Sequence, residues 1–519
     1  DCSYPFKELA GVGVAFKLIQ ALEGKDNAQT IVDTYSDMVC LGTIADVVPL
    51  LGENRLIVSA GLQKMSNINT SNMGLQALIK ISALKEKKIT AGMVGFIVAP
   101  RINAAGRIGS ALRAVELFLT ESEIVADEIS AELNEENRNR QAEEAQILQE
   151  ALKLVEDLNL SQRKVIVLSG ENWHHGVIGI VASRITDKFY RPSILISLEG
   201  NEGKGSGRSI SGFNLFKALN VCEEDLIKFG GHELAAGLSI EKQKIADFNE
   251  HIIKYAEQNL NEDDLIPRIK IDYEINVESL KIDTIKQIEV LAPFGMGNAS
   301  PIFCFSHADI TDIKTVGDNK HLKIRLEKDG CSIDAIGFNM GEYGQHFING
   351  DVVDIACSLD VNSYNGNEKV QLIIKDIKLT DDQIKEYEYF KHLYSYINEK
   401  PQCDFSKFQW SEQIFNSVIP KRQDFIIVYQ YIKTRSLNDT YSDNEFLLHR
   451  RIAKSYNVPM NFLKVKNCLD VFQELGLLDY SICDEKITIY LYDNKGEKVN
   501  IESSRKLVNL KKMKERLIQ

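Results

Sequence analysis

From Glu121 to Leu158 the chain carries neither glycine nor proline, and the stretch is rich in Glu, Ala, Asn, Gln and Arg. With no breaker among them, these residues predict one continuous helix, which at about 1.5 Å per residue runs to over about 50 Å. A small domain needs no rod of that length. The helix therefore reads as a connector between two lobes, the alternative being a plain solvated surface helix. A chain of 519 residues has material for several cores, since one domain takes about 100–200 residues, and three or four domains are expected.

The flanks have different textures. Apolar residues fall at helical spacing from Gly11 to Leu22, and the stretch from Asp37 to Met65 reads as buried strand, loop and helix. After the connector comes a second α/β unit. It has a strand at 164–169, a helix from about Gly176 to Phe189, a strand at 193–198, the alternating piece "GKGSGRSI", and a helix near 243–259. From Arg268 short β pieces follow one another: "RIKIDYEI", "PIFCF", "HLKIRLE", "CSIDAIGF", "DVVDIACSLD" and "KVQLIIKDIKL". Asn365-Gly366 between the last two is a two-residue hairpin signal. Such a run of short strands predicts a small barrel of the oligonucleotide-binding (OB) type. Beyond about residue 381, helical patterns precede a hairpin read in "KITIYLYDNKGEKVNI", an order that winged helix-turn-helix modules also show.

Composition narrows the function classes only a little. At 44% hydrophobic and 26% charged residues the chain is ordinary globular material, and no run approaches the roughly 18 apolar residues that span a bilayer, so no membrane role is expected. The formal net charge of −13 argues against wholesale coating of nucleic acid, yet it leaves room for a local basic groove. Nine cysteines without a C-x-x-C pair suit reduced thiols in a cytoplasm, with no structural zinc. The opening "DCSYPFKELAG" has neither an initiator Met nor the layout of a signal peptide.

Several residues stand out as candidates for chemistry. Asp46 in "GTIADVVPL" is a carboxylate after a buried apolar run, a place where a turn residue or helix cap is commoner than a metal ligand. In "PRINAAGRIGS", Arg101, Asn103 and Arg107 stand among small residues, a pattern for phosphate binding or for helix packing with exposed arginines. In "GKGSGRS" the glycines alternate with Lys204, Ser206 and Arg208, so a strand would place those three on one face, where a hydroxyl and a guanidinium suit a terminal phosphate. The glycines would then allow close approach of the ligand; a plain Gly-rich hairpin is the alternative. Gly230 and Gly231 offer exposed amides beside the His232 imidazole. The adjacent His174 and His175 have no Cys or carboxylate at ligand spacing and would point in different directions on any regular element. Their place just before a helix start favours an anionic ligand over a metal.

Taken in order, "LGTIADVVPL", "PRINAAGRIGSA", "NRNRQ", "WHHGVIGIVASRI", "GSGRS", "FGGHELAAG" and "LAPFGMGNASP" resemble the RecJ family of single-strand-specific exonucleases, within the DHH phosphoesterase superfamily. The resemblance implies an α/β multidomain chain. Its parts would be the C-terminal portion of an incomplete DHH catalytic domain at 1–118, a long connecting helix at 119–159, a DHH-associated α/β domain at 160–264, an OB-type β-barrel at 265–380, and an α+β C-terminal accessory module at 381–519. It also implies 5′-to-3′ hydrolysis of single-stranded DNA in repair and recombination, with two Mn2+ or Mg2+ ions.

The catalytic set so implied is Asp46, His174, His175 and His232, with Asp46 a metal ligand and the two adjacent histidines on the substrate side. The substrate set is Arg101, Asn103, Arg107, Gln141, Lys204, Ser206, Arg208, Gly230 and Gly231, where Ser206 and Arg208 match the 5′-phosphate pocket and Arg107 and Gln141 lie near the scissile end. A single-strand-binding protein or a helicase would be the protein partner. The family's earlier metal motifs, including Asp-His-His itself, have no counterpart in these residues, so the chain is expected to begin inside the catalytic domain and, as it stands, to bind single strands while barely hydrolysing them. The alternatives are a DHH phosphoesterase of short oligonucleotides and a non-catalytic single-strand-binding or replication scaffold.

Overall fold

In a computed structural model the chain is described at residues 3–67, 72–85, 87–364, 367–399, 418–483, 485–493 and 499–518. It divides into two units, Asp1–Ile269 with Val290–Ser300, and Lys270–Glu289 with Pro301–Gln519.

The first unit opens with helices α1 (Gly11–Glu23), α2 (Ala28–Ala45), α3 (Gly52–Ser66), α4 (Met73–Ile81), α5 (Ala99–Ile108) and α6 (Ala111–Leu119). The stretch from Asp37 to Ala45 is thus helical, against the strand expected for it. A short apolar run does not by itself separate a buried strand from a buried helix, and here Val39, Cys40, Leu41 and Thr43 are all buried on one helix. Gly61 is what lets α3 close on α2, since a Cβ there would sit 2.3 Å from the Cys40 Cβ.

The connector is one helix, α7 (Glu123–Asp157). Ser122 caps its start by accepting the Val125 N–H at 3.5 Å, and Asn159 follows its end in the left-handed conformation with φ 51°. Its first turns give Ala126, Ile129 and Leu133 to the core of the helical lobe, and its last turns give Ile147, Ala151 and Val155 to the core of the next. Between these apolar ends the buried face turns polar, with Asn134, Asn137, Arg140 and Glu144 all enclosed. One helix thus joins two hydrophobic cores and carries a polar stripe across the join.

The second lobe is a five-stranded sheet in the order β1-β2-β3-β5-β4. Its strands are β1 (Ile166–Glu171), β2 (Ser193–Glu199), β3 (Glu202–Arg208), β4 (Leu226–Gly231) and β5 (Ala235–Glu241), with β1 and β2 parallel and the rest antiparallel. Helix α8 (Ile178–Phe189) packs with the last turns of α7 over Leu168 and Leu195. Helices α9 (Leu215–Val221) and α10 (Ile245–Asn259) cover the other face over Ile194, Ile196, Leu238 and Ile240.

The second unit holds a barrel and a C-terminal module. Strands β7 (Phe303–Val316), β8 (His321–Lys328), β9 (Cys331–Gly337), β10 (Val352–Tyr364) and β11 (Asn367–Leu379) run β10-β11-β9-β8-β7, and β10 pairs back to β7 to close the ring. Of "RIKIDYEI" only β6 (Tyr273–Glu274) pairs as strand, against β7. The Asn365-Gly366 turn lies outside the described residues, while Tyr364 and Asn367 on either side are register partners. Inside the barrel Phe305, Leu322, Ile324, Leu326, Ile355 and Leu372 alternate with outward residues and form the core.

The C-terminal module has helices α12 (Asp381–Glu399), α13 (Arg422–Arg435), α14 (Glu445–Tyr456), α15 (Phe462–Glu474) and α16 (Arg505–Ile518), with strands β12 (Thr440–Asn444), β13 (Leu478–Cys483) and β14 (Lys486–Leu491) in the order β12-β14-β13. The hairpin expected within 486–501 is formed instead between β13 and β14, and residues 494–498 lie outside the described set. In winged helix-turn-helix modules the second helix of the turn enters the major groove. Here that helix, α15, buries Phe462 through Leu469 together with Val471 and Phe472, so it presents no free reading face.

Candidate functional site

Strand β3 fixes the site by alternation. Gly203, Gly205 and Gly207 point into the sheet core, while Lys204, Ser206 and Arg208 point to the α8 face. A Cβ on these glycines would lie 2.7 Å from Ile196, Leu238 and Leu215 respectively. This corrects one expectation: the glycines make room for core side chains on the face opposite Ser206 and Arg208, and do not admit a ligand. The residue that gives the site its space is Gly179, in the first turn of α8. A Cβ there would stand 2.9 Å from Ser206 Oγ and 3.3 Å from Arg208 Nη2.

Arg208 donates from Nη1 to Ser206 Oγ at 3.3 Å and to Gly207 O at 2.8 Å. Register places Gly237 and then Gly230 across the sheet from Ser206, a row of backbone without side chains beside the hydroxyl. Ala235 is the partner of Arg208, and the N–H of His232 donates to Ala235 O at 2.8 Å. Exposed His232 therefore lies two strand spacings from Arg208, about 10 Å, with Gly231 before it at φ 145°. A Cβ at Gly231 would come 2.4 Å from Ala235 O.

The tandem histidines occupy the turn into α8, which begins at Ile178. The Gly176 N–H donates to His174 Nδ1 at 3.1 Å, and His174 O accepts from Val177 and Ile178, so His174 braces the turn that leads into the helix. The expectation that the two rings diverge does not hold on this turn: they stack with centroids 5.0 Å apart and planes at 13°. Arg107 Nη1 donates to Gly176 O at 2.9 Å, which ties the end of α5 to the same turn. Gly176 is required there, because a Cβ would meet Arg107 O at 2.8 Å.

The site is electrically positive. Partial burial, and then the charge of Arg107, hold Arg208 below the usual arginine pKa. Burial, and then Arg140, do the same for Arg107, with Glu144 opposing. Guanidiniums stay protonated at neutral pH through such shifts, so their mutual repulsion is relieved by an anion and not by proton loss.

Other predicted residues are placed differently. Arg101 is committed to the fold, donating from Nε to Asn134 Oδ1 at 3.0 Å and from Nη1 to Ile97 O. Asn103 and Gln141 are exposed, the latter on α7 beside buried Arg140. Asp46 is the C-cap of α2, its N–H bonded to Gly42 O at 3.0 Å. The segment "LAPFGMGNASP" clasps the chain just after it: Leu50 N–H donates to Met296 O at 2.7 Å, and Arg55 Nη2 donates to Leu291 O at 2.7 Å. Among the described residues no three His, Cys, Asp or Glu gather to hold a metal ion, so Asp46 by itself does not fit a two-ion site. Also among them, no helix is long and apolar enough to cross a membrane.

In the other unit a groove of about 1040 Å³ on the barrel is lined by Lys323, Arg325, Asn362, Lys369 and Gln371. Lys323 and Lys369 are thus available to a strand, whereas Arg325 is bonded to Asp334 in the same lining. The aromatic ring in its lining, Phe305, belongs to the barrel core. Phe338, 55% exposed, lies edge-on to His321 at the end of β9.

Sequence reasoning missed Gly179, Arg140, Glu144 and Arg184. The readable signal was polar residues at helical spacing (Ser130, Asn134, Asn137, Arg140, Glu144) along a helix whose flanking turns are apolar on the same face.

Residues 162–258 match the DHHA1 domain family and residues 271–376 the RecJ OB domain family. The chain is 39% identical over 386 residues to the single-stranded-DNA-specific exonuclease RecJ of Bacillus subtilis, covering 74% of this chain and 48% of that protein. It is 34% identical over 403 residues to the protein of the same name from Haemophilus influenzae, covering 74% and 69%. A crystal structure of RecJ in complex with Mg2+ from Thermus thermophilus superposes with a TM-score of 0.64 at 30% identity, over 73% of this chain and 57% of that one. A second, in complex with Mn2+, gives 0.64 at 30% identity over 72% and 54%. The chain therefore spans about half the length of the Bacillus relative and about two thirds of the Haemophilus one.

Proposed function

The chain belongs to the RecJ family of single-stranded-DNA-specific exonucleases, and on that premise we propose that it binds a single strand and captures the strand's 5′ phosphate between Ser206 and Arg208. The observation that carries this reading is the placement of that hydroxyl and guanidinium on one face of β3 against Gly179. Arg107 supplies a second guanidinium at the same helix turn. A terminal phosphate monoester carries about −1.5 to −2 charges at neutral pH and three acceptor oxygens, whereas an internal diester carries one charge. A pair of arginines, partly buried Arg208 and exposed Arg107, favours the former, and the N-terminus of α8 adds to the preference. Capture of a 5′ end gives the enzyme its 5′-to-3′ direction.

In this reading residues 1–118, 160–264, 265–380 and 381–519 are the catalytic portion, the DHH-associated domain, the OB barrel and the accessory module, joined at 119–159. Arg107 and Gln141 lie near the scissile bond, and His174, His175 and His232 line the substrate path. Lys204 and the Gly230-Gly231 amides meet the backbone of the strand, and the barrel groove holds it farther along through Lys323 and Lys369. Asp46 would contribute one carboxylate to a divalent ion, Mg2+ or Mn2+, whose site the described residues do not complete.

The test is binding of a short oligonucleotide with and without its 5′ phosphate to the wild-type chain, to Arg208→Ala and to Ser206→Ala. A charge-assisted bond of about 1.5–3 kcal/mol corresponds to a ten- to hundredfold preference of the wild type for the phosphorylated end. Arg208→Ala loses most of that preference, and Ser206→Ala part of it. Equal weakening toward both ligands would make Arg208 a general backbone contact and overturn the assignment.

A further inference from the structure

On α7, which packs against the helix that carries Gly179, lies a buried carboxylate that no part of the foregoing chemistry uses. Glu144 on α7 is 5% exposed. One of its oxygens accepts from Arg140 Nη1 at 2.9 Å, and the other from Arg184 Nε on α8. Arg140 in turn donates from Nη2 to Asn137 Oδ1 at 3.1 Å, and its Nε is enclosed with no partner. Through space Arg140 and Glu144 act in opposite senses on Arg107, and Arg107 acts on Arg208. Arg140 and Arg184, from α7 and α8, thus share one carboxylate, and Arg107 on α5 and Arg208 on β3 are joined to them only through the effect of charge.

Left to themselves these like charges would spread toward solvent. Arg184 has that freedom, with its side chain 58% exposed, whereas the side chains of Arg140 and Glu144 are only 10% and 6% exposed. We propose that Glu144 is a positioning residue for 5′-end recognition: it touches no DNA but pins Arg140 and Arg184, so that the guanidinium cluster around the end pocket is already in place before the phosphate arrives. Preorganisation of this kind lowers the ordering cost of binding and favours the ligand with most charge at that point. The inference rests on the 5′-phosphate reading above and deepens it.

The test separates position from charge, because the two predict opposite signs. Glu144→Gln keeps the volume of the side chain and removes its negative charge. If Glu144 acted only as a nearby charge, its neutralisation would strengthen binding of an anion. As a positioning residue it should do the reverse. The ratio of affinities for a 5′-phosphorylated and a 5′-hydroxyl short oligonucleotide should then fall about five- to tenfold, while affinity for a long unphosphorylated strand stays within about twofold. A raised ratio, or equal losses on every ligand, overturns the proposal.

Arg184→Lys guards against a Glu144 variant that does not fold, since it keeps the charge but cannot offer Nε to Glu144 with its fork directed outward. It should lower the same ratio, and an unchanged ratio in a folded Arg184→Lys protein overturns the proposal as well. If the wild-type chain shows no preference for the phosphorylated end, the 5′-phosphate reading itself fails. If that preference exists and survives Glu144→Gln, only the positioning role fails.

Discussion

Replacing Gly179 with alanine should separate stability from end recognition, because the two effects act on different atoms. The added methyl carbon would lie 2.9 Å from Ser206 Oγ and 3.3 Å from Arg208 Nη2. Both groups must shift by several tenths of an ångström, and Arg208 is already anchored to Gly207 O at 2.8 Å. On the stability side, alanine in a helix gains up to about 1 kcal/mol over glycine, and crowding of this kind costs about 1–3 kcal/mol. The net change should stay within about 2 kcal/mol, a melting shift of a few degrees. On the binding side, a hydroxyl and a guanidinium displaced from one phosphate forfeit a bond of about 1.5–3 kcal/mol, or ten- to hundredfold in affinity. The assay is fluorescence anisotropy with a short oligonucleotide, with and without the 5′ phosphate, beside a thermal melt. A Gly179→Ala protein that keeps the full preference for the phosphorylated end would show that the space over Ser206 and Arg208 is not where the phosphate sits.

Burial, and then the neighbouring Arg450, push the His449 pKa down to about 3. The unfolded chain, with its histidine near 6.5, therefore takes up the proton first, and stability present above about pH 6.5 is lost as the pH falls toward 3; melting of the C-terminal module should drop from pH 7 to pH 5, and His449→Gln should flatten that drop, an unaltered slope counting against it. Lys466 is enclosed on α15, 3.4 Å from buried Glu445 and over the rings of Tyr394 and Tyr480. Lys466→Ala should cost about 3–5 kcal/mol by stranding that carboxylate, measured by denaturant unfolding; a stable variant with weakened duplex binding would instead make α15 a reading helix. In the barrel groove, Lys323→Ala with Lys369→Ala should flatten the plot of log affinity against log salt for a long single strand by about 1.4, at about 0.7 for each phosphate that a lysine no longer neutralises, and an unchanged slope would move the strand elsewhere.

What the sequence made legible was what depends on short-range periodicity. The alternation of Lys204, Ser206 and Arg208 with glycines by itself places three side chains on one face, because a strand has period two. The long helix was equally readable, since nothing in it breaks a helix. The same local pattern does not say which face meets the core, so it offers the glycines to a ligand although they serve Ile196, Leu238 and Leu215. Nor could it tell that "DMVCLGTIA" is helical, because a buried helix and a buried strand both show an unbroken apolar run.

Long-range partnerships were out of reach. Arg55 bonds to Leu291 O across 236 positions, and Arg184 bonds to Glu144 across 40. These pairings turn "LAPFGMGNASP" from a motif into a clasp, and a glutamate in a charged helix into the anchor of an arginine cluster. Spacing along the chain carries no trace of them, since the first depends on how residue 291 comes back to α3 and the second on how α7 lies against α8.

The most direct test of the account is a structure of the chain bound to a 5′-phosphorylated oligonucleotide. The account predicts the terminal phosphate within hydrogen-bond distance of Ser206 Oγ and the Arg208 guanidinium, over Gly179, with the strand leading away past Arg107. A terminal phosphate bound elsewhere, with the Arg208 guanidinium still bonded to Ser206 Oγ and Gly207 O, would contradict it.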